Sequence, residues 1–418
     1  MHGKVPAHVC SEVTRRQLLG GLAGEAALAA LALGGAGCQP QPPSSLPSGA
    51  APSPTSTTSS PTAAPEAAAA PFPTIQVAGT HRQIGAAVGA QFRDRIEDAV
   101  QGQPAFEACL DQARGPLADR VAQLEAATRQ AYPHLVEELE GMAEGCGLPF
   151  ADLFAWNCRS ELDAAADPCP PGCSTAGWAD PSRMLLAHNE DGPEPYDGRM
   201  FVLRARPPSG IWFAALVYPG TWPGNGPGLN DRGVVQSTNY ISPCAAAAGI
   251  PRYALGRAVL EAPSLEEAIA VATRSGRAFP WHHNLASLTE RKLVSLETWP
   301  GRHHRLNVAG LHLHTNHLVH PQMLDLPERK GYLARSSEPR LAALQRRLKG
   351  QQTVTRATLE AALQDRSGTP CKVCRRPGDE VPGVTVAMAL FEAPERRMML
   401  RGGQRCDGPW QIIEPQPG

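Results

Sequence analysis

At residues 170–175 the chain has the sequence Pro-Pro-Gly-Cys-Ser-Thr. A loop of cyclic and small residues ends there at Cys173, and a short strand-like segment follows it. A cysteine is a useful nucleophile only as a thiolate, so it needs a base close by. Cleavage of the bond between Gly172 and Cys173 would supply that base, because the new α-amino group lies a few bonds from the sulfur and titrates at about pH 8.

The thiol can also carry out the cleavage itself. It would attack the Gly172 carbonyl to form a thioester, which water then opens, and a glycine permits close approach to its carbonyl because it has no side chain. A competing interpretation makes Cys173 one half of a disulfide, for instance with Cys169. These residues alone leave both interpretations open.

The next segment favours the nucleophile. Asp180-Pro181-Ser182 has the composition of a turn. A hairpin centred on residue 182 pairs Cys173 with Asp191 and brings Asn189 back to the same place. The alternative is that Asn189 to Gly192 is simply the next turn.

Later segments add amide donors. A predicted strand from Leu311 ends at Asn316, and a side-chain amide aimed at a developing oxyanion is worth about 2.7–4 kcal/mol in acyl transfer. We therefore assign Asn316 that role, with a structural turn-capping asparagine as the alternative. The secondary candidates for the site are Ser174, Asn189, Asn230 and Asn239.

In the part of the chain expected to fold, the predicted secondary structure changes from helices to short strands near residue 165. Thr80 and Gln83 form a capping box, after which apolar residues recur every four positions as far as Val100. Predicted helices precede residue 165 at 116–131, 134–145 and 149–160. Short strands follow from Ser174 onward, with helices predicted at 254–273, 336–348 and 356–365. Strand-rich segments with inserted helices indicate an α+β layered architecture.

The N-terminal region has the features of an export signal. Arg15-Arg16 precedes a Gly/Ala/Leu-rich run that ends before Cys38, which indicates twin-arginine export and a lipobox-like site for lipid attachment to Cys38. The alternatives are an ordinary signal peptide whose basic region contains the two arginines, and simple secretion without a lipid. Residues 39–73 are mostly Pro, Ser, Thr and Ala, a composition typical of a disordered tether. The predicted organisation is a signal at 1–38, a tether at 39–73, a helical α chain at 74–172 and a β chain at 173–418. The expected location is the cell envelope or the secreted fraction.

Charge and cysteine content restrict the partners. The 39 Lys and Arg residues nearly balance the 40 Asp and Glu residues, and no basic stripe with interleaved aromatics is present, so nucleic acid is not an expected partner. Setting aside Cys10, Cys38 and Cys173 leaves eight of the 11 cysteines, an even number that permits disulfides without assigning them. The pair Cys371 and Cys374 has the spacing of half a zinc site or a redox pair. No second pair accompanies it, and we assign no metal and no other cofactor.

Seven short segments together resemble one known family, the acyl-coenzyme A:6-aminopenicillanic acid acyltransferase and its carcinine hydrolase-like relatives. The segments are Gly79–Gly85, Asn157–Glu161, Gly172–Ser174, Asn189–Asp191, Gly228–Asn230, Thr315–His317 and Cys374–Pro377. The resemblance implies an N-terminal nucleophile hydrolase with a four-layer αββα sandwich, self-cleavage into associated α and β chains, Cys173 as nucleophile, Asp191 as its partner and Asn316 as oxyanion donor. Gly192 stands where relatives often carry an aromatic residue. The smaller glycine would widen the site. An arginine that lines the pocket in some relatives has no assigned position here.

The expected activity is hydrolysis or acyl transfer on a linear amide such as an N-acyl amino acid, a small peptide or a β-lactam side chain. Hydrolysis is the default outside the cytoplasm, where coenzyme A thioesters are scarce. One alternative is a metal-dependent hydrolase that uses the histidines between His303 and His320. The other is a lipid-tethered protein that binds a ligand without catalysis.

Overall fold

The computed structural model describes residues 72–162, 172–393, 395–402 and 406–414, without the side chains of residues 332–334. These residues belong to one compact unit, Ala70–Gly418. The predicted signal, Cys38, Cys169 and most of the predicted tether lie outside the described residues. No helix among the described residues is long and apolar enough to cross a membrane.

Helices dominate the part of the chain before Cys173. They are α1 (His81–Gln91), α2 (Arg93–Ala99), α3 (Pro104–Arg114), α4 (Ala118–Ala131), α5 (Pro133–Cys146), α6 (Phe150–Asn157) and α7 (Arg159–Leu162). The capping box at Thr80 is confirmed. The predicted apolar stripe is buried along its whole length, although the helix that carries it breaks at Phe92 into α1 and α2.

The strands form two sheets. They are β1 (Thr74–Ala78), β2 (Ser174–Ala179), β3 (Met184–Gly192), β4 (Phe201–Arg206), β5 (Phe213–Val217), β6 (Gly228–Asn230), β7 (Val234–Tyr240), β8 (Trp281–Ser287), β9 (Lys292–Trp299), β10 (Arg302–Asn307), β11 (Gly310–His314), β12 (Val384–Ala393), β13 (Arg397–Gly402) and β14 (Gln411–Ile413). One sheet has eight strands in the order β1-β4-β5-β6-β7-β8-β9-β10, and the other has six in the order β11-β2-β3-β12-β13-β14.

The later helices are α8 (Arg252–Val259), α9 (Leu265–Ala272), α10 (Glu338–Leu348) and α11 (Arg356–Leu363). The single helix predicted at 254–273 is two helices. Pro263 prevents the first helix from continuing, because proline has no backbone N–H, and Ser264 caps the start of the second. A short helical turn, Lys330–Tyr332, and a π-helical turn, Leu333–Ser337, lead into α10.

The layers follow from what each sheet face contacts. Leu285 and Leu296 of the eight-stranded sheet share an apolar cluster with α8 and α9. Ala176 and Leu185 of the six-stranded sheet share another with α10 and α11. The opposite faces of the two sheets meet each other, since an added Cβ at Gly177 would lie 2.8 Å from a methyl group of Leu293. The predicted four-layer αββα sandwich is confirmed.

Disulfides connect part of the C-terminal region. Cys374 is bonded to Cys406, and Cys244 is also disulfide-bonded. Cys371 is a buried free thiol, so Cys371 and Cys374 form neither a redox pair nor half of a zinc site. Cys173 is free as well, which excludes the interpretation that it is one half of a disulfide.

Candidate active site

The β2–β3 hairpin determines which residue lies opposite Cys173. Ser174 pairs with Asn189, so the same antiparallel register brings Glu190 to the position opposite Cys173. The predicted pairing of Cys173 with Asp191 is therefore wrong by one residue. A shift of one residue moves a side chain to the other face of a sheet, so the carboxylate beside the thiol is that of Glu190.

The turn explains the difference. Asp180 and Arg183 exchange backbone hydrogen bonds, which leaves a two-residue loop between them. The Asp180 carboxylate tightens this loop by accepting bonds from the Ser182 N–H, at 2.8 Å, and from the Ser182 hydroxyl, at 2.6 Å. The centre of the turn lies between Pro181 and Ser182, half a residue earlier than the sequence predicts.

Four buried side chains, Cys173, His188, Glu190 and Tyr218, form what we call the thiol cluster. The Cys173 Sγ lies 3.6 Å from Glu190 Oε1 and can donate to it. The Tyr218 hydroxyl donates to the same oxygen at 2.7 Å, and His188 Nε2 lies 3.1 Å from Glu190 Oε2. One carboxylate thus joins the thiol, a phenol and an imidazole.

The thiol of Cys173 is held in its neutral form in the uncleaved chain. Burial raises its pKa well above the usual value, and the charges of Glu190 and Asp191 raise it further. A hydrogen bond with the Asp191 backbone and the charge of Arg340 act in the opposite direction. The thiol therefore needs a base that accepts its proton during attack, and Glu190 is in contact with it.

A layer of polar side chains between the sheets orients His188. The Thr175 hydroxyl donates to Asn239 Oδ1 at 3.1 Å and accepts from Asn284 Nδ2 at 3.2 Å. His188 Nδ1 lies 2.9 Å from the same hydroxyl. Because the single hydroxyl proton goes to Asn239, His188 Nδ1 must carry a proton and donate it to Thr175. The Nε2 atom of His188 is thereby directed at Glu190.

Arg340 organises the other side of the Cys173 backbone. This arginine of α10 is fully buried. It donates to the Cys173 carbonyl and, at 2.9 Å, to Ser174 Oγ. It also donates to Asn316 Oδ1 at 2.7 Å. Asn316, predicted as the oxyanion donor, is therefore tied to the nucleophile through one guanidinium group, while its Nδ2 donates to the Tyr240 carbonyl at 2.9 Å.

Asp191 lies on the same side as Arg340, away from the thiol. Its Oδ1 accepts from the Thr385 hydroxyl at 2.7 Å, and its Oδ2 lies 3.9 Å from an Arg375 nitrogen. Burial raises the pKa of Asp191 to about 7, and the arginines Arg375 and Arg340 oppose that shift. The side chain is thus able to change protonation state close to neutral pH. Glu190 and Asp191 are adjacent in β3, so their side chains lie on opposite faces of the sheet.

The secondary candidates separate into two groups. Ser174 lies within the site through its bond to Arg340, and Asn239 through its bond to Thr175. Asn239 Nδ2 is buried and has no hydrogen-bond partner among the described residues. Asn230 instead holds a turn, donating to the Leu260 and Ala262 carbonyls. Asn189 donates to the carbonyl of Leu363, the last residue of α11, and to that of Val373 in the loop that follows.

Tyr218 fills the space beside Gly192. An added Cβ on Gly192 would lie 3.2 Å from the Tyr218 ring and 3.3 Å from its hydroxyl oxygen. The sequence predicted that the absence of an aromatic residue at position 192 would widen the site. The structure shows that it does not. Tyr218, the residue that follows β5, occupies the space beside Gly192, and its hydroxyl donates a hydrogen bond to Glu190.

Four residues of the site were not predicted: His188, Glu190, Tyr218 and Arg340. The sequence does contain a signal for His188 and Glu190, because residues 186, 188 and 190 share one face of β3. The composition of Asn189 to Gly192, which is also typical of a turn, obscured that signal. No local pattern distinguishes Arg340 from other arginines of an amphipathic helix. Tyr218 follows a buried strand and would be taken for an ordinary core residue.

Three of the histidines between His303 and His320 make hydrogen bonds to other buried side chains. His314 Nε2 lies 3.1 Å from Glu297 and His320 Nε2 lies 2.9 Å from Ser295. His312 Nε2 lies 2.9 Å from Asn284. None of these histidines belongs to a cluster of three metal-ligating side chains in the described part of the chain. Their geometry does not favour the metal-dependent hydrolase alternative.

Comparison with known proteins identifies the class as amide hydrolases and acyltransferases. The family model of acyl-coenzyme A:6-aminopenicillanic acid acyl-transferase matches residues 178–407, more than half of the chain. The chain belongs to this family. The matched region starts after Cys173 and contains Asp191 and Asn316.

One curated relative is the beta-alanyl-dopamine/carcinine hydrolase of Drosophila melanogaster, which is 28% identical over 223 residues. The match covers 49% of this chain and 58% of that protein, so the chain spans little more than half of its relative's length. Among solved structures, a Caenorhabditis elegans ortholog of N-acylethanolamine-hydrolyzing acid amidase is similar at 14% identity and a TM-score of 0.37, covering 52% of this chain and 92% of that one. The R18L variant of the conjugated bile acid hydrolase from Clostridium perfringens has 11% identity and a TM-score of 0.39, covering 58% and 92%.

Proposed function

We propose that this protein is an exported cysteine amidohydrolase that cleaves itself between Gly172 and Cys173 and then hydrolyses a linear amide through a thioester. The observation that carries the proposal is the contact between the buried free thiol of Cys173 and Glu190 Oε1, at 3.6 Å. The residue before the thiol is a glycine, and the chain belongs to a family of amide hydrolases and acyltransferases.

Self-cleavage begins at the thiol cluster. Glu190 accepts the proton of the Cys173 thiol as the sulfur attacks the Gly172 carbonyl. The C–N bond then breaks, the departing Cys173 nitrogen takes up a proton, and Gly172 is left as a thioester on the sulfur. Water hydrolyses the thioester, which releases the Gly172 carboxylate and regenerates the thiol beside a new α-amino group.

The α-amino group then serves as the base for substrate hydrolysis. It belongs to the residue that lies opposite Glu190 in the hairpin, and we propose that the Asp191 carboxylate, at the next position of β3, orients it. Arg340 holds the Cys173 carbonyl and the Asn316 side chain together. The amide groups of Asn316 and Asn239 are the donors for the oxyanion of the tetrahedral intermediate. The substrate amine leaves first, and water releases the acyl group from the sulfur.

The relatives suggest the substrate class. The family is named after an acyl-transferase that acts on 6-aminopenicillanic acid, and one relative is named as a hydrolase of beta-alanyl-dopamine and carcinine. Both names refer to amides of small amines. We propose an N-acyl amino acid, a small peptide or a β-lactam side-chain amide as the substrate. Water is the proposed acyl acceptor, and an amine is the acceptor if the enzyme works as a transferase.

The export proposal rests on the N-terminal sequence and on disulfide chemistry. Arg15-Arg16 and the lipobox-like site at Cys38 suggest export and lipid attachment. The Cys374–Cys406 disulfide suits an oxidising compartment. Membrane fractionation of the wild type and Cys38→Ser tests the anchor, since the variant is expected in the soluble fraction and equal membrane association would contradict it.

Intact mass under denaturing and reducing conditions tests the central step. The wild type is expected to give two fragments that meet at Gly172/Cys173, whereas Cys173→Ala gives one uncleaved chain. Cys146→Ala is the matched control, because Cys146 is another buried free thiol and its variant is expected to be cleaved. A folded wild type that stays uncleaved would contradict the proposal and favour the lipid-tethered, non-catalytic binding protein.

A further inference from the structure

We propose that the thiol cluster is also a binding site for Zn²⁺, with Cys173, His188 and Glu190 as its three protein ligands. The sequence predicted no metal at these three residues. In the described part of the chain these three side chains form a group whose ligand atoms all lie within 4.8 Å of one another. All three are buried, and they combine a sulfur, a nitrogen and an oxygen, the donor types that zinc accepts.

The separations between the ligand atoms are close to those of a tetrahedral zinc site. Zinc bonds of about 2.3 Å to sulfur and about 2.0–2.2 Å to nitrogen and oxygen place neighbouring ligand atoms about 3.2–3.7 Å apart. The Cys173 Sγ to Glu190 Oε1 distance is 3.6 Å, and the His188 Nε2 to Glu190 Oε2 distance is 3.1 Å. These two distances end on different oxygens of one carboxylate, and the ligand atoms of the group lie within 4.8 Å of one another. Rotation of the Glu190 carboxylate and shifts of about 1 Å would therefore bring the three side chains to tetrahedral spacing around one ion.

Two neighbours hold the ligands in the orientation that zinc requires. Metal-binding histidines usually donate their second ring N–H to a protein acceptor, which fixes the tautomer. His188 does so through Nδ1 to Thr175, at 2.9 Å, and its Nε2 atom faces the cluster. The carboxylate of Glu190 is fixed in the same way by the hydroxyl of Tyr218, at 2.7 Å.

Zinc in this position would inhibit the enzyme. The sulfur would be bound to the ion as a thiolate, with its proton released to solvent, and Glu190 would no longer be available as a base. The three protein ligands leave a fourth position for water. In the cleaved protein the α-amino group of Cys173 is a further nitrogen ligand close to the sulfur. The inhibitory role rests on the proposed function, but the binding of zinc does not.

Direct binding to the full chain tests the site. Reduced protein freed of metal by a chelator is titrated with ZnCl₂ in competition with a chromogenic zinc indicator, and one tightly bound ion per chain is expected. Cys173→Ser and His188→Gln are expected to lose that ion. Thr175→Val, which keeps all three ligands but removes the hydrogen-bond partner of His188 Nδ1, should weaken binding about 10–100-fold.

Controls separate this site from other thiols and imidazoles. Cys146→Ser and His134→Gln alter a buried thiol and a half-buried histidine elsewhere, and both are expected to bind zinc as the wild type does. Co²⁺ in place of zinc should give a thiolate-to-cobalt absorption band that is absent from Cys173→Ser. The absence of a tightly bound ion, or binding that Cys173→Ser retains in full, would overturn the proposal.

The same samples distinguish this proposal from the proposed function. Uncleaved wild type that binds one zinc ion through Cys173 would support the metal site and contradict self-cleavage. Wild type that is cleaved at Gly172/Cys173 but binds no zinc would contradict the metal site alone. If both proposals hold, excess zinc slows cleavage of the precursor and a chelator restores it.

Discussion

At the scale of single residues, the most informative position is Glu190. A pattern of charged and small residues at 189–192 predicts a turn as readily as a strand, and the sequence therefore did not place Glu190 beside the thiol. The structure continues β3 through these residues with every one of them buried. Cys173, Asp191 and Asn316 could be singled out from sequence by resemblance. The identity of the carboxylate next to the sulfur could not be predicted, because it changes when the centre of the β2–β3 turn moves by half a residue.

Glu190→Gln tests whether Glu190 accepts the thiol proton. The charge of Glu190 raises the pKa of Cys173, so its removal should lower that pKa. If the carboxylate only suppressed the thiolate, cleavage would become faster. We expect it to become slower, by about 100-fold or more, because a general base is lost.

The rate is measured from the ratio of cleaved to uncleaved chain by mass spectrometry over time. Glu194→Gln is the matched control, since Glu194 is exposed and lies only four residues along the chain. Faster cleavage in Glu190→Gln would contradict the proposal that Glu190 acts as the base.

Asn316→Ala tests the oxyanion donor. The side chain is buried, and Arg340 orients it through its Oδ1 atom. Loss of one donor to a tetrahedral intermediate slows acyl transfer by about 100–1,000-fold. We expect that loss in the cleavage rate of the folded variant, while exposed Asn307→Ala, the control, is cleaved normally. A wild-type rate in folded Asn316→Ala would assign the donor role to Asn239.

At the scale of elements, the strongly patterned segments were predicted well and the weakly patterned ones were not. The capping box of α1 and most helices before residue 162 were recognisable from periodicity. The strands β1, β6, β10 and β14 and the helix α3 were not predicted. β10 alternates without a buried apolar face, and β14 has three residues, so neither contains enough hydrophobic pattern to be recognised. Such strands form because a neighbouring strand offers hydrogen bonds.

The packing of α1 against α5 depends on glycines, and Gly85→Ala tests this. An added Cβ at Gly85 would lie 1.8 Å from the Glu138 carbonyl oxygen, so the two helices must separate. Overpacking of this kind costs about 1–3 kcal/mol of stability. Gly331→Ala is the control, because Gly331 is exposed, helical and has nothing within 4 Å of an added Cβ.

We expect a lower urea midpoint for Gly85→Ala and an unchanged or slightly higher one for Gly331→Ala. Equal midpoints for Gly85→Ala and the wild type would show that the helices can separate without cost.

At the scale of the whole molecule, the site is assembled from distant parts of the chain. The thiol cluster combines the β2–β3 hairpin with Tyr218, and Arg340 comes from a helix 167 residues after Cys173. Contacts of this kind depend on the packing of two sheets and a helix layer, for which a single sequence contains no local signal. The α+β class was predictable from the order of elements, whereas the residues that surround the predicted nucleophile were not.

The buried titratable groups of the whole molecule have opposite effects on stability. Burial lowers the pKa values of a set of histidines, namely His134, His282, His283, His303, His312, His314, His317 and His320. It raises the pKa values of Glu161 and Asp191 to about 7 and that of Glu328 to about 8. The histidines contribute stability that is present above their unfolded pKa and lost as pH falls. The raised carboxyl groups contribute stability that is present at low pH and lost as pH rises through about 7 to 8.

We therefore expect maximum stability near neutral pH, measured as the free energy of unfolding in urea. Between pH 6.5 and 5 the histidines outnumber the raised carboxyl groups, so the unfolded chain binds more protons and stability falls, by about 1.4 kcal/mol per pH unit for each net proton. Between pH 6.5 and 8.5 stability falls again as the buried carboxyl groups ionise. Asp191→Asn should reduce this alkaline loss, and exposed Asp98→Asn should not. An alkaline loss that is the same in Asp191→Asn and the wild type would mean that Asp191 is already ionised at pH 6.5, held so by Arg375 and Arg340 more strongly than burial opposes it.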